Sequence, residues 1–328
     1  MKRSLILSSI AALIMGGAVM SSSAATVCKG FLPPNDLKIP VGSKDAKGIQ
    51  QEQFNSVLDT IQKIYGPVIA ARGGVLQINR LWTDATVNAS AQQQGKRYIL
   101  NMYGGLARHE AVTMDGFALV ACHELGHHLG GAPKKGYSWA SNEGQADYYA
   151  NLKCLRTVFS DSTSSAFTRS AAGDELARKD CDQAFQNAQD RAICFRSAMA
   201  GKSVSTLFMA LHQDQVEPSF DTPDTSVVSS MYNDHPATQC RMDTYLQGSI
   251  CTQPVDAQLS DTDPVPGTCT RSGGFAAGFR PLCWYKPASA NELLPPVTGL
   301  AAAAASRGLS APGAAFSALQ SENPWLGF

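Results

Sequence analysis

The chain has 328 residues, of which 44% are hydrophobic and 16% charged, enough for one sizeable core or one core plus a satellite region. Basic and acidic residues number 27 each, and loss of Lys2 and Arg3 with a cleaved leader leaves a formal charge of −2. That balance excludes a nucleic-acid partner bound through a basic surface.

Met1-Lys2-Arg3 is basic, Leu5 to Met20 is apolar and small, and Ser21 to Ala25 offers a small-x-small cleavage site. The pattern predicts a secretory signal peptide over residues 1–25 and export to the periplasm or the extracellular space. No later run reaches the ~20 apolar residues of a spanning helix, so no stable membrane span is expected after cleavage. All nine cysteines follow residue 25, which fits an oxidising compartment. Cys122 is expected to be unpaired, and the shortest closures pair Cys181 with Cys194, Cys240 with Cys251 and Cys269 with Cys283, leaving Cys28 for Cys154.

Residues 26–48, with Pro33-Pro34, Pro40 and Gly42, read as an extended lead-in. From Gln51 to Ala71, Phe54, Val57, Leu58, Ile61, Ile64, Tyr65 and Ile69 recur at helical spacing, and Gly73-Gly74 stops the helix. Strand alternation follows over 75–82, 87–91 and 97–103, with a hairpin at Gln94-Gly95. One edge of this small sheet, at Asn88, Ala89 and Ser90, is expected to be free to receive an extended peptide.

Phe117 to Ala121 is an apolar run suited to a buried helix, with Asp115 as expected N-cap and Gly130-Gly131 before Pro133 as stop. Ser141 or Asn142 caps a further helix to about Phe159. Residues 160–175 read as a loop, followed by helices over about 180–200 and 203–215, a break at Pro218 to Thr225, and a last helix from Pro236 to Leu246. The fold class is therefore α+β, mainly helical with a small antiparallel-containing sheet. The divisions are a main domain over 26–250, a cysteine-containing irregular appendage over 251–287, and a low-complexity, disordered tail over 288–328.

The helix after Phe117 carries His123-Glu124-x-x-His127, the HExxH signature. Residues four apart share a helix face, so both imidazoles can reach one metal ion with Glu124 beside the attacking water. His128 is rotated about 100° from His127 and is read as a flanking residue. A catalytic zinc needs three protein ligands and an open position. Glu143, 16 residues after His127, is one choice for the third, with Asp147 one turn on to accept the ring N–H of His123. The HExxHxxGxxH pattern is the other, and Gly130 fits it, but its third histidine position holds Pro133.

Taken in order, Asn88-Ala89, His123 to His127, Glu143 to Asp147, and His235-Pro236 with Arg241 resemble the metallopeptidase family of the CAAX prenyl endopeptidases, the heat-shock membrane protease HtpX and soluble periplasmic outer-membrane quality-control peptidases. The resemblance covers roughly residues 50–246. It implies a zincin-like fold and a gluzincin with one catalytic Zn2+ on His123, His127 and Glu143 and with Glu124 as general base. It further implies His235 placed to stabilise the oxyanion or to touch the open zinc position, Arg241 supporting the acidic residues of the site, and a protein or peptide substrate. The rival reading is a non-catalytic, zinc-containing chaperone-like or binding protein of the envelope.

Overall fold

The computed structural model describes residues 26–27, 30–136, 139–160, 174–212 and 216–289. The expected signal peptide, Cys28, most of the expected 160–175 loop and almost all of the expected disordered tail lie outside the described residues.

Helix α1 (Gln51–Ala71) buries Phe54, Val57, Leu58, Ile61, Tyr65 and Ile69, the stripe that its spacing predicts. Gly73, at φ 74°, then turns the chain into the sheet. Strands β1 (Thr26–Val27), β2 (Val75–Leu81), β3 (Ala89–Gln94) and β4 (Arg97–Tyr103) lie in the order β1-β3-β4-β2. β3 and β4 form the expected hairpin around Gly95, while β2 runs parallel to β4. The open edge expected at Asn88 to Ser90 is not found. β1 pairs antiparallel with β3, and the Phe31 N–H donates to the Ala89 carbonyl at 2.9 Å, so the chain's own early segment takes that edge.

After one helical turn, α2 (Gly104–Ala107), comes α3 (Met114–Leu129), whose residues from Gly116 to Leu129 are all buried. Its cap is Thr113, whose hydroxyl accepts the Gly116 N–H at 3.0 Å, and not Asp115. The Asp115 carboxylate is instead held bidentately by Arg196 at 2.7 Å on each arm. Helix α4 (Glu143–Tyr149), capped by Asn142, passes through a π-helical turn over Ala150–Leu155 into α5 (Arg156–Ser160). α6 (Glu175–Ala184), α7 (Ala188–His212) and α8 (Thr238–Ile250) complete the helices among the described residues, and the break between α6 and α7 falls at 185–187 instead of near 200.

α3 and α4 pack at unusually close range. A Cβ on Gly126 would stand 2.9 Å from the Ala146 carbonyl oxygen, so only glycine lets the two backbones meet there. This approach brings the motif helix face to face with the acidic pair on α4.

Cysteine pairing corrects the sequence expectation in three of four bridges. The disulfides are Cys122–Cys154, Cys181–Cys194, Cys240–Cys283 and Cys251–Cys269, so Cys122 is not free and ties α3 to the π-helical turn. Nearest-neighbour closure fails because helices α3 and α8 set which sulfurs meet. Residues 251–289 form neither helix nor strand, yet Trp284 is fully buried and donates its indole N–H to Thr244 Oγ1 at 2.9 Å. Among the described residues no helix is long and apolar enough to cross a membrane, and the four disulfides fit an oxidising compartment.

Candidate metal centre

His123 and His127 project from one face of α3, and Glu143 opens α4, all three with no exposed surface. Glu143 Oε2 lies 3.2 Å from His123 Nε2 and 3.6 Å from His127 Nε2. The ring nitrogens' other halves are already used. His123 Nδ1 donates to Asp147 Oδ1 at 2.7 Å, and His127 Nδ1 donates to the Ser141 carbonyl at 2.8 Å. A backbone carbonyl only accepts, so the His127 proton sits on Nδ1 and its Nε2 presents a lone pair.

The three facing atoms have no hydrogen-bond partner, although all are buried, and neither have the two carboxylate oxygens of Glu124. Five orphaned polar atoms at one place are costly unless a cation joins them. For ligand bonds of about 2.0–2.2 Å, a tetrahedron has edges of about 3.3–3.6 Å, close to the two separations observed. Two imidazoles and a carboxylate are also an ordinary donor set for a first-row divalent metal. His123, His127 and Glu143 therefore form a group that could hold a metal ion.

Asp147 is the centre of the support. Besides His123, its carboxylate accepts from Arg241 through Nε at 2.8 Å and Nη2 at 2.8 Å, and from the Tyr245 hydroxyl at 2.8 Å. Burial would raise its pKa, but Arg241 and His123 outweigh burial and hold the carboxyl below its ordinary range. Glu143 behaves alike: the histidines around it overcome burial and keep it well below the usual carboxylate range. Its second oxygen, Oε1, is taken by the Lys135 ammonium at 2.5 Å, which leaves Oε2 for the shared position. Burial is the largest influence at two other groups, pushing Glu124 up to about 8, with Glu143 acting in the same sense, and His127 down to about 3, with His123 and Lys135 acting in the same sense.

His235 Nε2 stands 3.6 Å from Glu143 Oε2 and donates to the Gly30 carbonyl at 2.8 Å. His128 turns away, stacked on Trp139 at 4.5 Å between ring centroids. Asn88 lies just before β3 with its side chain bonded to both backbone groups of Leu32, and the Ser90 hydroxyl accepts from Asn101 across the hairpin at 3.1 Å. Lys135, Tyr245 and the Ser141 carbonyl are missing from the sequence reading. Tyr245 had a signal, since it sits four residues after Arg241 on one helix. Lys135 had none.

No protein-family model, no curated protein and no solved structure matches this chain.

Proposed function

We propose that this chain is an exported zinc endopeptidase of the gluzincin type, with a zincin-like fold, that hydrolyses peptide bonds in extended segments of proteins. The observation that carries the reading is the buried His123/His127/Glu143 cluster with the unpartnered Glu124 carboxylate beside it. In this reading His123, His127 and Glu143 hold the zinc, which when bound polarises the scissile carbonyl and acidifies the attacking water. Glu124 takes the proton from that water and delivers it to the leaving amine. His235 donates to the oxyanion that develops on the scissile carbonyl. Asp147 keeps the His123 ring oriented, and Arg241 and Tyr245 keep Asp147 in place.

The test is cleavage of an unfolded protein by the zinc-loaded chain beside its Glu124→Gln variant, with bound zinc measured in both. Cleavage by the first and not the second, at equal zinc, is the expected result. The complete burial of the cluster favours one other reading, an envelope binding or chaperone-like protein that keeps its metal structurally. Equal zinc in both proteins with cleavage by neither would select it.

A further inference from the structure

The segment that closes the β3 edge is bound in an unusual way. An added strand is normally held by backbone pairing, and β1 obeys this opposite Gln92 and Gln93. From Gly30 onward, side chains from several elements join a single backbone bond. The Gly30 carbonyl accepts from His235, and the Phe31 N–H donates to the Ala89 carbonyl. The Phe31 carbonyl accepts from Arg241 Nη1 at 3.0 Å. Asn88 then accepts the Leu32 N–H at 3.0 Å and donates to the Leu32 carbonyl at 3.2 Å.

Each backbone polar group from the Gly30 carbonyl to the Leu32 carbonyl thus has a partner, with His235 and Arg241 coming from the surroundings of the cluster and Asn88 and Ala89 from the start of β3. The same histidine that holds the Gly30 carbonyl lies 3.6 Å from Glu143 Oε2. The Phe31 side chain is fully buried, edge-on to His123 at 4.8 Å and under the Arg241 guanidinium at 4.7 Å. Gly30 has φ +99°, and a Cβ there would meet Asn88 Oδ1 at 2.9 Å. Main-chain groups held by hydrogen bonds, with one pocket for a large side chain, are also the two means by which a cleft holds a peptide substrate.

We propose that the Gly30–Phe31 peptide bond lies in the place of the scissile bond, so that this chain is its own first substrate. The inference rests on the endopeptidase reading above. Water oxygen bonds to the Gly30 carbonyl carbon, the Gly30–Phe31 C–N bond breaks, and Glu124 carries a water proton to the Phe31 nitrogen. The products are a Gly30 carboxylate and a new amino terminus at Phe31. Release of the residues up to Gly30 frees the outer edge of β3 and frees His235 for the next carbonyl.

The experiment uses the exported full chain, purified without metal, in wild-type and Glu124→Gln forms. Zinc is added, and intact mass and terminal sequence are followed. The expected result is a chain beginning at Phe31 from wild type alone. A second readout does not depend on turnover: the rate at which a chelator strips zinc from the uncut Glu124→Gln chain is compared with that from the same variant produced to begin at Phe31. Removal of residues before Phe31 is expected to speed stripping at least tenfold, and equal rates would contradict a covering segment. An uncut wild-type chain that still cleaves an added unfolded protein would overturn self-processing and leave the endopeptidase reading standing. A cut at any other bond would overturn the assigned register. Zinc bound with nothing cleaved would overturn the endopeptidase reading itself, and this inference with it.

Discussion

His123 Nδ1 and Asp147 Oδ1 lie 2.7 Å apart with both side chains fully buried, on helices that meet only because Gly126 has no side chain. Asp147→Asn keeps the size but removes the charge that orients His123 and balances Arg241. Metal affinity is expected to fall 10–100-fold. The buried guanidinium left uncompensated should cost about 3–5 kcal/mol of stability. Chelator competition and thermal melts check the two effects, and unchanged affinity would remove Asp147 from the site's support.

Lys135 bonds the one Glu143 oxygen that the metal cluster leaves free. Lys135→Met should destabilise the zinc-free protein by about 2 kcal/mol, the scale of a hydrogen bond to a charged group. A bound cation would then supply the positive charge that the lysine gave, so zinc should raise the melting temperature more in the variant than in wild type. Equal zinc-induced shifts in the two proteins would show that Lys135 does not compensate Glu143.

The Cys122–Cys154 bridge spans 32 residues and joins the helix of His123 to the π-helical turn that follows α4. Loop-closure entropy for that span is roughly 3–4 kcal/mol. The Cys122→Ala, Cys154→Ala double variant should lose about that much stability and also bind zinc more weakly, because both ligand-bearing helices lose their tie. Denaturant melts and zinc titration measure both. A stability loss without any change in zinc binding would confine the bridge to folding.

Asp243 offers a pH test away from the cluster. Burial raises its carboxyl from the ordinary 3.8 to about 6, against the hydrogen bonds from the Asp224 N–H at 2.7 Å and the Gln239 amide at 2.7 Å. Because the folded value lies above the unfolded one, the stability tied to its proton is full below about pH 4 and is lost as pH rises through 6. That difference corresponds to roughly 3 kcal/mol at most. Relative to wild type, Asp243→Asn should therefore gain stability between pH 4 and pH 7. A wild-type minus variant difference that stays flat over this range would contradict the assignment.

Much of the centre was legible in one dimension because helix geometry is local. Spacing of four placed His123 with His127, and Glu143 with Asp147, on common faces, and the periodicity of α1 and the Gly95 hairpin follow from the same short-range rules. Helix ends were less so: Asp115 was the expected N-cap, but its carboxylate is held by Arg196, 81 residues away, and Thr113 caps the helix instead.

What the sequence by itself determined is the chemistry on offer: two imidazoles with a carboxylate beside them and an acidic pair, each set on one helical turn. Only the tertiary structure decided what they face. Sulfur pairing depended on where α3 and α8 come to rest, which is why the short closures expected for Cys240 and Cys269 failed and why Cys122, expected to be unpaired, joins Cys154. The occupant of the β3 edge depended on contacts across 56 to 210 residues, from Asn88, His235 and Arg241 to Gly30, Phe31 and Leu32. Those bonds form between backbone groups and distant side chains, and backbone groups are the same in every residue, so no pattern of residue types could have announced them.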